Sequence, residues 1–237
     1  LERKLTKMFG SDKFISCADG GLGSYPIREY NSMGERAYIV TQSVKKLSNV
    51  MKEAIFADCD YRRKSNNEPI SIQRMKEFDR TADENRELYD DKVYKVLVAD
   101  KAIDTGLTEK VLQKNGKYRE QKVKGQLQQY IIVSFSRKML EYQRYIRSAQ
   151  IARAKKLLET RDPEMIKKAP NDVTRFIKRT YVGSNGEKAK DNYVVDTSII
   201  EEEEKYDGYY AIATNLDPRK HNDASRILDI SANRYIA

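Results

Sequence analysis

A carboxylate at position 19 is the residue best placed to do chemistry in this 237-residue sequence. Asp19 follows a short run of mainly apolar residues at 14–18 and precedes Gly20-Gly21. The run has the length and boundaries of a buried β-strand, and the glycines predict a turn directly after it. Strand ends that lead into glycine turns hold a side chain rigidly and let a ligand approach closely. Asp19 is therefore a candidate functional residue, although an aspartate in this position can also simply start a turn.

Other kinds of catalytic or metal site have little support in the composition. Two cysteines, Cys17 and Cys59, and one histidine, His221, are too few for a disulfide framework or a four-ligand zinc site. The chemistry must then come from carboxylates, hydroxyls or bound cations. Asp58 and Asp60 beside Cys59, and the four glutamates at 201–204, are weaker metal candidates, because charge-rich surface segments commonly carry such carboxylates without a ligand.

The elements around Asp19 form a simple alternation. Residues 24–33 predict a short helix, with Pro26 in its first turn and Gly34 at its end. Residues 36–41 predict a second strand, and the spacing of apolar residues over 45–57 predicts an amphipathic helix. The first part of the chain is thus a β-α-β-α fragment.

This order of elements resembles a known family. A strand, Ala-Asp-Gly-Gly-Leu, a helix and Arg-Ala-Tyr-Ile-Val-Thr are similar to the second-aspartate region of DDE transposases of bacterial insertion sequences. Gly20 stands where that family usually has a basic or polar residue. A second match, Lys-Tyr-Asp-Gly-Tyr-Tyr-Ala-Ile-Ala-Thr-Asn-Leu at 205–216, resembles the strand that returns from a long insertion towards the helix carrying the catalytic glutamate.

The resemblance spans most of the chain and implies its fold. We expect an α/β (α+β) protein, with an incomplete ribonuclease H-like core interrupted by a mixed, strand-rich insertion that contains one long basic helix. Residues 1–57 would belong to the catalytic core, 58–205 to the insertion, and 206–237 to the return strand and the segment leading to the glutamate helix.

The resemblance also implies the roles of the residues. Asp19 matches the second of three carboxylates that bind Mg²⁺ or Mn²⁺ for DNA cleavage and strand transfer. The first aspartate is expected upstream of position 1. The glutamate belongs to a Tyr-x2-Arg-x3-Glu pattern; Arg234 is the candidate arginine, Ser231 replaces the tyrosine, and the glutamate would follow Ala237. We therefore expect this chain alone to be unable to catalyse transposition.

The middle of the chain contains fewer candidate functional residues. Residues 58–90 are polar and predict a long loop with one short helix at 72–78. Strands are predicted at 93–99, 129–135, 192–200 and 209–214, with Asn115-Gly116 as the turn of a hairpin between the first two. A last helix is predicted at 222–229.

The long helix at 137–159 is the second functional candidate. Met139, Tyr142, Ile146 and Ala149 recur at helical spacing and predict one apolar stripe. A strong excess of basic residues on this helix predicts contact with phosphates, and the chain as a whole has a net charge of +9. The candidate DNA-binding residues are Arg137, Lys138, Arg144, Arg147, Arg153, Lys155 and Lys156.

The expected partner is double-stranded DNA, as transposon ends and target, with a homodimer possible for the full-length protein. No apolar run is long enough to cross a bilayer and no signal peptide is evident, so no membrane partner is expected and a cytoplasmic location is predicted. Two alternatives stay open: a basic nucleic-acid-binding module without catalysis, and another ribonuclease H-like metal-dependent nuclease.

Overall fold

The computed structural model describes residues 14–33, 36–103, 108–122, 127–160, 169–182, 190–220 and 223–233. In this part of the chain the fold is mixed α/β, of the α+β class, as the sequence predicts. The helices are α1 (Tyr25–Tyr30), α2 (Asn49–Phe56), α3 (Ile72–Glu77), α4 (Arg86–Asp90), α5 (Arg137–Thr160), α6 (Thr197–Glu204) and α7 (Ala224–Ala232). The strands are β1 (Ile15–Ala18), β2 (Ala37–Gln42), β3 (Arg62–Arg63), β4 (Val93–Val98), β5 (Thr108–Leu112), β6 (Tyr118–Lys122), β7 (Tyr130–Phe135), β8 (Ile177–Val182), β9 (Lys190–Val195) and β10 (Tyr209–Thr214).

A six-stranded sheet, in the order β1-β2-β10-β7-β4-β3, organises the larger part of the molecule. β1 and β2 are parallel and are connected through α1, whereas every other neighbouring pair is antiparallel. Two further pairs, β5–β6 and β8–β9, form separate two-stranded sheets. The predicted Asn115-Gly116 turn joins β5 to β6, and Gly116 adopts the left-handed conformation (φ +73°) that favours glycine there.

Helices pack on both faces of the sheet because alternate residues of each strand point to opposite sides. On one face, Ala224, Ile227 and Leu228 of α7 pack against an aliphatic cluster on the strands. That cluster contains Ile39, Ile132 and Ile212. On the other face, α2 buries Met51 and Ile55, as its amphipathic pattern predicts. Burying one such side chain stabilises the fold by roughly 1.5–3 kcal/mol.

The chain divides into two compact units. The first, Leu1–Ser136 with Tyr209–Ala237, contains the six-stranded sheet, and we call it the sheet unit. The second, Arg137–Gly208, contains α5, the β8–β9 hairpin and α6 around a core of Ala154, Phe176 and Ile177, and we call it the helical unit. β4 and β7 fall within the predicted insertion of 58–205, yet they are strands of the central sheet. The compact segment that interrupts the sheet is therefore shorter than the predicted insertion.

Several predicted elements need correction. The polar segment 58–90 is not only a surface loop, because Tyr61, Ile72, Met75 and Leu88 in it are buried. The strand predicted at 192–200 ends at Val195, and the helix α6 follows. The change occurs because the side chain of Asp196 accepts a hydrogen bond from the Ser198 amide and caps the helix.

The predicted apolar stripe of the long helix is not a buried face. Met139, Tyr142, Ile146 and Ala149 are all exposed. The residues that α5 buries are Leu140, Arg147 and Ala154. Hydropathy predicts that an arginine on this helix faces outward. Arg147 is buried instead, because a carboxylate from a distant part of the helical unit neutralises its charge.

Candidate functional site

Asp19 lies at the carboxyl end of β1, beside the carboxyl end of its parallel neighbour β2. Its backbone stays extended, with φ −74° and ψ 165°, and its side chain is exposed. Strand alternation therefore sets Asp19 on the face of Cys17, the face that α7 covers. A short 3₁₀ helix (Gly20–Leu22) begins directly after it, but the Asp19 carboxylate makes no capping hydrogen bond to that helix. The Asp19 side chain is thus exposed at the sheet tip and does not cap the 3₁₀ helix.

The loop after Asp19 is held in place by a polar network centred on Arg28 of α1. The Arg28 guanidinium donates to the Gly23 carbonyl (2.8 Å), to the Gln42 side chain (2.7 Å) and to the Gln129 side chain (3.1 Å). The Tyr38 hydroxyl donates to the same Gln129 oxygen (2.6 Å). The network connects the loop to the end of β2 and the start of β7, so it fixes the backbone that follows Asp19.

Every acceptor that Arg28 uses is neutral, which is unusual for a half-buried guanidinium. Burial lowers the pKa of Arg28, because the charged form loses hydration, although arginine stays protonated at any ordinary pH. Burial likewise raises the pKa of Tyr38, so its hydroxyl remains a hydrogen-bond donor. The network therefore keeps one fixed protonation state and acts as a rigid support.

Gly20 lies tightly against the neighbouring strand. A Cβ atom at this position would come within 3.3 Å of the Thr41 carbonyl oxygen, whereas a Cβ at Gly21 would meet nothing within 4 Å. In the family that the sequence resembles, a basic or polar residue occupies this position. In this chain, the loop backbone comes close to β2 at the same position. The absence of a side chain here favours the close approach of loop and strand.

The weaker metal candidates have structural roles. Asp58 accepts hydrogen bonds from the Ser71 hydroxyl (2.7 Å) and the Ile72 amide, so it holds the start of α3. The bond from Ser71 lowers the pKa of the Asp58 carboxyl. Asp60 adopts a positive φ of 61° in the turn after Cys59. Within the described residues, no group of three or more His, Cys, Asp or Glu side chains could hold a metal ion.

The four glutamates at 201–204 lie in α6, and three of them contact cations of the protein. Glu202 accepts from Lys205 (2.6 Å), and Glu203 pairs with Arg175 (2.9 Å). Glu204 lies 3.8 Å from Arg147. These contacts give the run a structural explanation that does not require a metal.

The seven predicted DNA-binding cations of α5 do not share one surface. Arg147 is buried and forms a bidentate ion pair with Asp207, so it cannot contact DNA in this conformation. That pairing raises the pKa of Arg147. Arg137 is partly buried and pairs with Glu141 (2.9 Å). The other five are exposed: Lys138, Arg144, Arg153, Lys155 and Lys156.

Sequence reasoning missed the Arg28 network and the Arg147–Asp207 pair. Neither has a local signal, since Arg28 and Gln129 are 101 residues apart and Arg147 and Asp207 are 60 apart. Arg234, the predicted arginine of the glutamate motif, lies outside the described residues. Comparisons with protein-family models, with curated proteins and with solved structures find no match to this chain. None of the helices in the described ranges has the length and hydropathy needed to cross a membrane.

Proposed function

We propose that this chain is part of a DNA transposase of the DDE class, with Asp19 as one of its metal-binding carboxylates. The observation that carries the proposal is the position of Asp19 at the end of a parallel strand pair. The side chain is exposed and is not used as a helix cap, so the purely local explanation for an aspartate before Gly-Gly is weakened. A rigid hydrogen-bond network behind the loop is what a positioned functional carboxylate requires.

The arrangement around Asp19 supports a ribonuclease H-like core. β1, α1 and β2 follow one another in the order that the resemblance implies. β10, the proposed return strand, pairs with β2, and α7 contacts β1 and β2 on the face of Asp19.

The carboxylate chemistry fits Mg²⁺ or Mn²⁺, since hard cations prefer oxygen ligands. Such ions, when bound, activate the attacking oxygen and stabilise the leaving oxygen of an in-line displacement at phosphorus. Asp19 would contribute one ligand to this site. The remaining carboxylates are those that the resemblance sets upstream of residue 1 and after residue 237. Double-stranded DNA as the partner, a homodimer and a cytoplasmic location are part of the same proposal.

The test uses a version of the protein that carries the flanking aspartate and glutamate segments, incubated with DNA of the element's ends and Mg²⁺ or Mn²⁺. Asp19→Asn keeps the size of the side chain and removes its charge, so we expect cleavage and strand transfer to fall to background while the fold is retained. Asp83→Asn, an exposed aspartate of the same unit, is the matched control and should leave the activity unchanged. Normal activity of Asp19→Asn would rule out the proposed role.

A second candidate function is a basic nucleic-acid-binding module without catalysis, which the five exposed cations of α5 favour. Salt-sensitive DNA binding that needs no divalent metal, together with no cleavage by the extended protein, would support this function. A third possibility, another ribonuclease H-like nuclease, predicts metal-dependent cleavage without joining of strands. The same assay separates all three, because cleavage and joining give products of different length.

A further inference from the structure

One face of α5 exposes aromatic and apolar side chains. Tyr142 is 60% exposed and Tyr145 is 72% exposed, and Met139 and Ile146 are 41% and 37% exposed. With 3.6 residues per turn, these four lie within about 60° of Tyr142 around the helix axis. The buried face, with Leu140 and Ala154, lies on the other side of the helix. We call this surface the tyrosine face of α5.

The tyrosine face also carries positive charge. By the same helical geometry, Lys138, Arg153 and Lys156 lie within about 60° of Tyr142. The acidic residues of the helix, Glu141 and Glu159, lie outside that sector, and Glu141 pairs with Arg137 on the neighbouring side. A solvated helix face normally mixes charges of both signs, whereas this face combines cations with aromatic and apolar side chains and has no carboxylate of the helix.

This combination selects the chemistry of the ligand. The cations require an anionic partner, and the exposed rings require a partner with flat apolar surfaces to stack on. A second copy of the face would bring like charges together, which is unfavourable. Nucleic acid offers phosphates and bases in one polymer, and basic surfaces with aromatic side chains are the usual means of binding it in single-stranded form. In a duplex the bases are stacked on each other, so the tyrosines could reach them only in an unpaired strand.

We infer that the tyrosine face of α5 binds single-stranded DNA, with Tyr142 and Tyr145 stacking on two successive bases and Arg153 and Lys156 contacting the phosphates. Tyr142 and Tyr145 are three residues apart, which puts their Cβ atoms about 5–6 Å from each other on one side of the helix. The choice of DNA over RNA rests on the proposed function. Within that function, the face would hold nucleotides that become unpaired when a strand is cut or a duplex end is opened.

The experiment measures binding of the 237-residue chain to a fluorescein-labelled oligothymidine and to a labelled duplex of the same length. We expect tighter binding of the single strand at equal salt. Tyr142→Ala and Tyr145→Ala should each weaken binding of the single strand by roughly 5- to 150-fold, the range found for loss of one stacked base. Tyr118→Ala is the matched control, because Tyr118 is 69% exposed but lies on the β5–β6 hairpin. It should leave the affinity unchanged.

The cations are tested through the salt dependence. Arg153→Gln with Lys156→Gln should reduce the slope of log affinity against log salt concentration by roughly 0.7 for each lost phosphate contact. Equal affinity for single strand and duplex, or full binding by a Tyr142→Ala/Tyr145→Ala variant, would overturn the inference. Concentration-dependent self-association that both tyrosine substitutions abolish, without DNA binding, would also overturn it and identify a second copy as the partner.

The inference and the proposed function fail separately. Asp19→Asn should leave binding of the single strand unchanged, because Asp19 belongs to the sheet unit and contributes no base or phosphate contact in this inference. If the chain binds single strands but the extended protein never cleaves DNA, the binding role of the tyrosine face is supported and the proposed transposase function is refuted. If the extended protein cleaves DNA but the tyrosine face does not bind single strands, the transposase function is supported and the binding role of the face is refuted.

Discussion

The two compact units neutralise their buried cations in different ways. In the sheet unit, Lys95 is 3% exposed and donates to the Ala54 carbonyl (2.6 Å), near the carboxyl end of α2. Its ammonium also lies 5.3 Å from the centre of the Tyr61 ring. In the helical unit, Arg147 is 6% exposed and forms an ion pair with Asp207. One buried charge is thus satisfied by a helix end and an aromatic ring, and the other by a carboxylate.

The difference determines how easily each unit can lose the group that neutralises its buried cation. Backbone carbonyls at a helix end carry a partial negative charge that neither mutation of a side chain nor acid removes. A carboxylate can be removed by one substitution or by protonation, and the arginine then remains buried without a counter-charge. The sheet unit should accordingly tolerate single changes at its polar positions better than the helical unit does.

The largest expected effect is that of Asp207→Ala. Removing this carboxylate leaves Arg147 buried with only the half-exposed Glu204, 3.8 Å away, as a counter-charge, and breaking a buried ion pair typically costs about 3–5 kcal/mol. We expect the helical unit to open, with loss of amide hydrogen-exchange protection in α5 and β9, while β4 and β7 of the sheet unit stay protected. The double variant Arg147→Met/Asp207→Leu is the control, because apolar replacement of both partners should restore most of the protection. Equal losses in both units would contradict the comparison.

The second prediction concerns Lys95→Met in the sheet unit. Methionine fills a similar volume, so the main loss is the hydrogen bond to the Ala54 carbonyl, and an unsatisfied buried acceptor costs about 1–3 kcal/mol. We expect a lower urea midpoint of unfolding for the sheet unit, by an amount smaller than the effect of Asp207→Ala on the helical unit. An equal or larger effect would show that the buried lysine is at least as critical as the buried arginine and would end the contrast. Val50→Ala, at a position 72% exposed, serves as the control.

The part of the structure that the sequence predicts correctly also differs between the two units. The predicted strands β2, β4, β7 and β10 each lie within one residue of their observed ends, because alternating or continuous apolar runs with turn residues are local signals. The face that α5 buries could not be predicted, because Arg147 is buried through a partner 60 residues away. Asp19 could be located from the strand and the glycines that follow it. The Arg28 network behind it could not, since its members come from α1, β2 and the start of β7.

The third prediction is a pH dependence of the helical unit through Asp196. The hydrogen bond from the Ser198 hydroxyl (2.6 Å) lowers the pKa of Asp196 in the folded state. A lowered folded-state pKa means that the carboxylate stabilises the fold above the ordinary aspartate value, near 3.9, and that this contribution is lost as the pH falls further. Asp196→Ala should cost about 1 kcal/mol at pH 7, the usual value of a helix cap, and less at pH 2, below the ordinary aspartate value. Urea unfolding followed at both pH values measures the difference. The same cost at both would show that the carboxylate charge does not contribute.

The smallest expected effect is a difference in stability between alanine substitutions at two adjacent glycines beside Asp19. Neither glycine adopts a left-handed φ, so alanine should stabilise position 21 by roughly 0.4–1 kcal/mol through the lower entropy of the unfolded chain. At position 20 the new methyl group would meet the Thr41 carbonyl at 3.3 Å, so the gain should be offset and the loop displaced from β2. The stability difference between Gly20→Ala and Gly21→Ala, measured by thermal unfolding, reports how tightly the loop after Asp19 is held. Equal stability of the two variants would mean that the loop moves away from the strand at no cost, and a carboxylate on such a loop would lack the rigid support that a metal ligand needs.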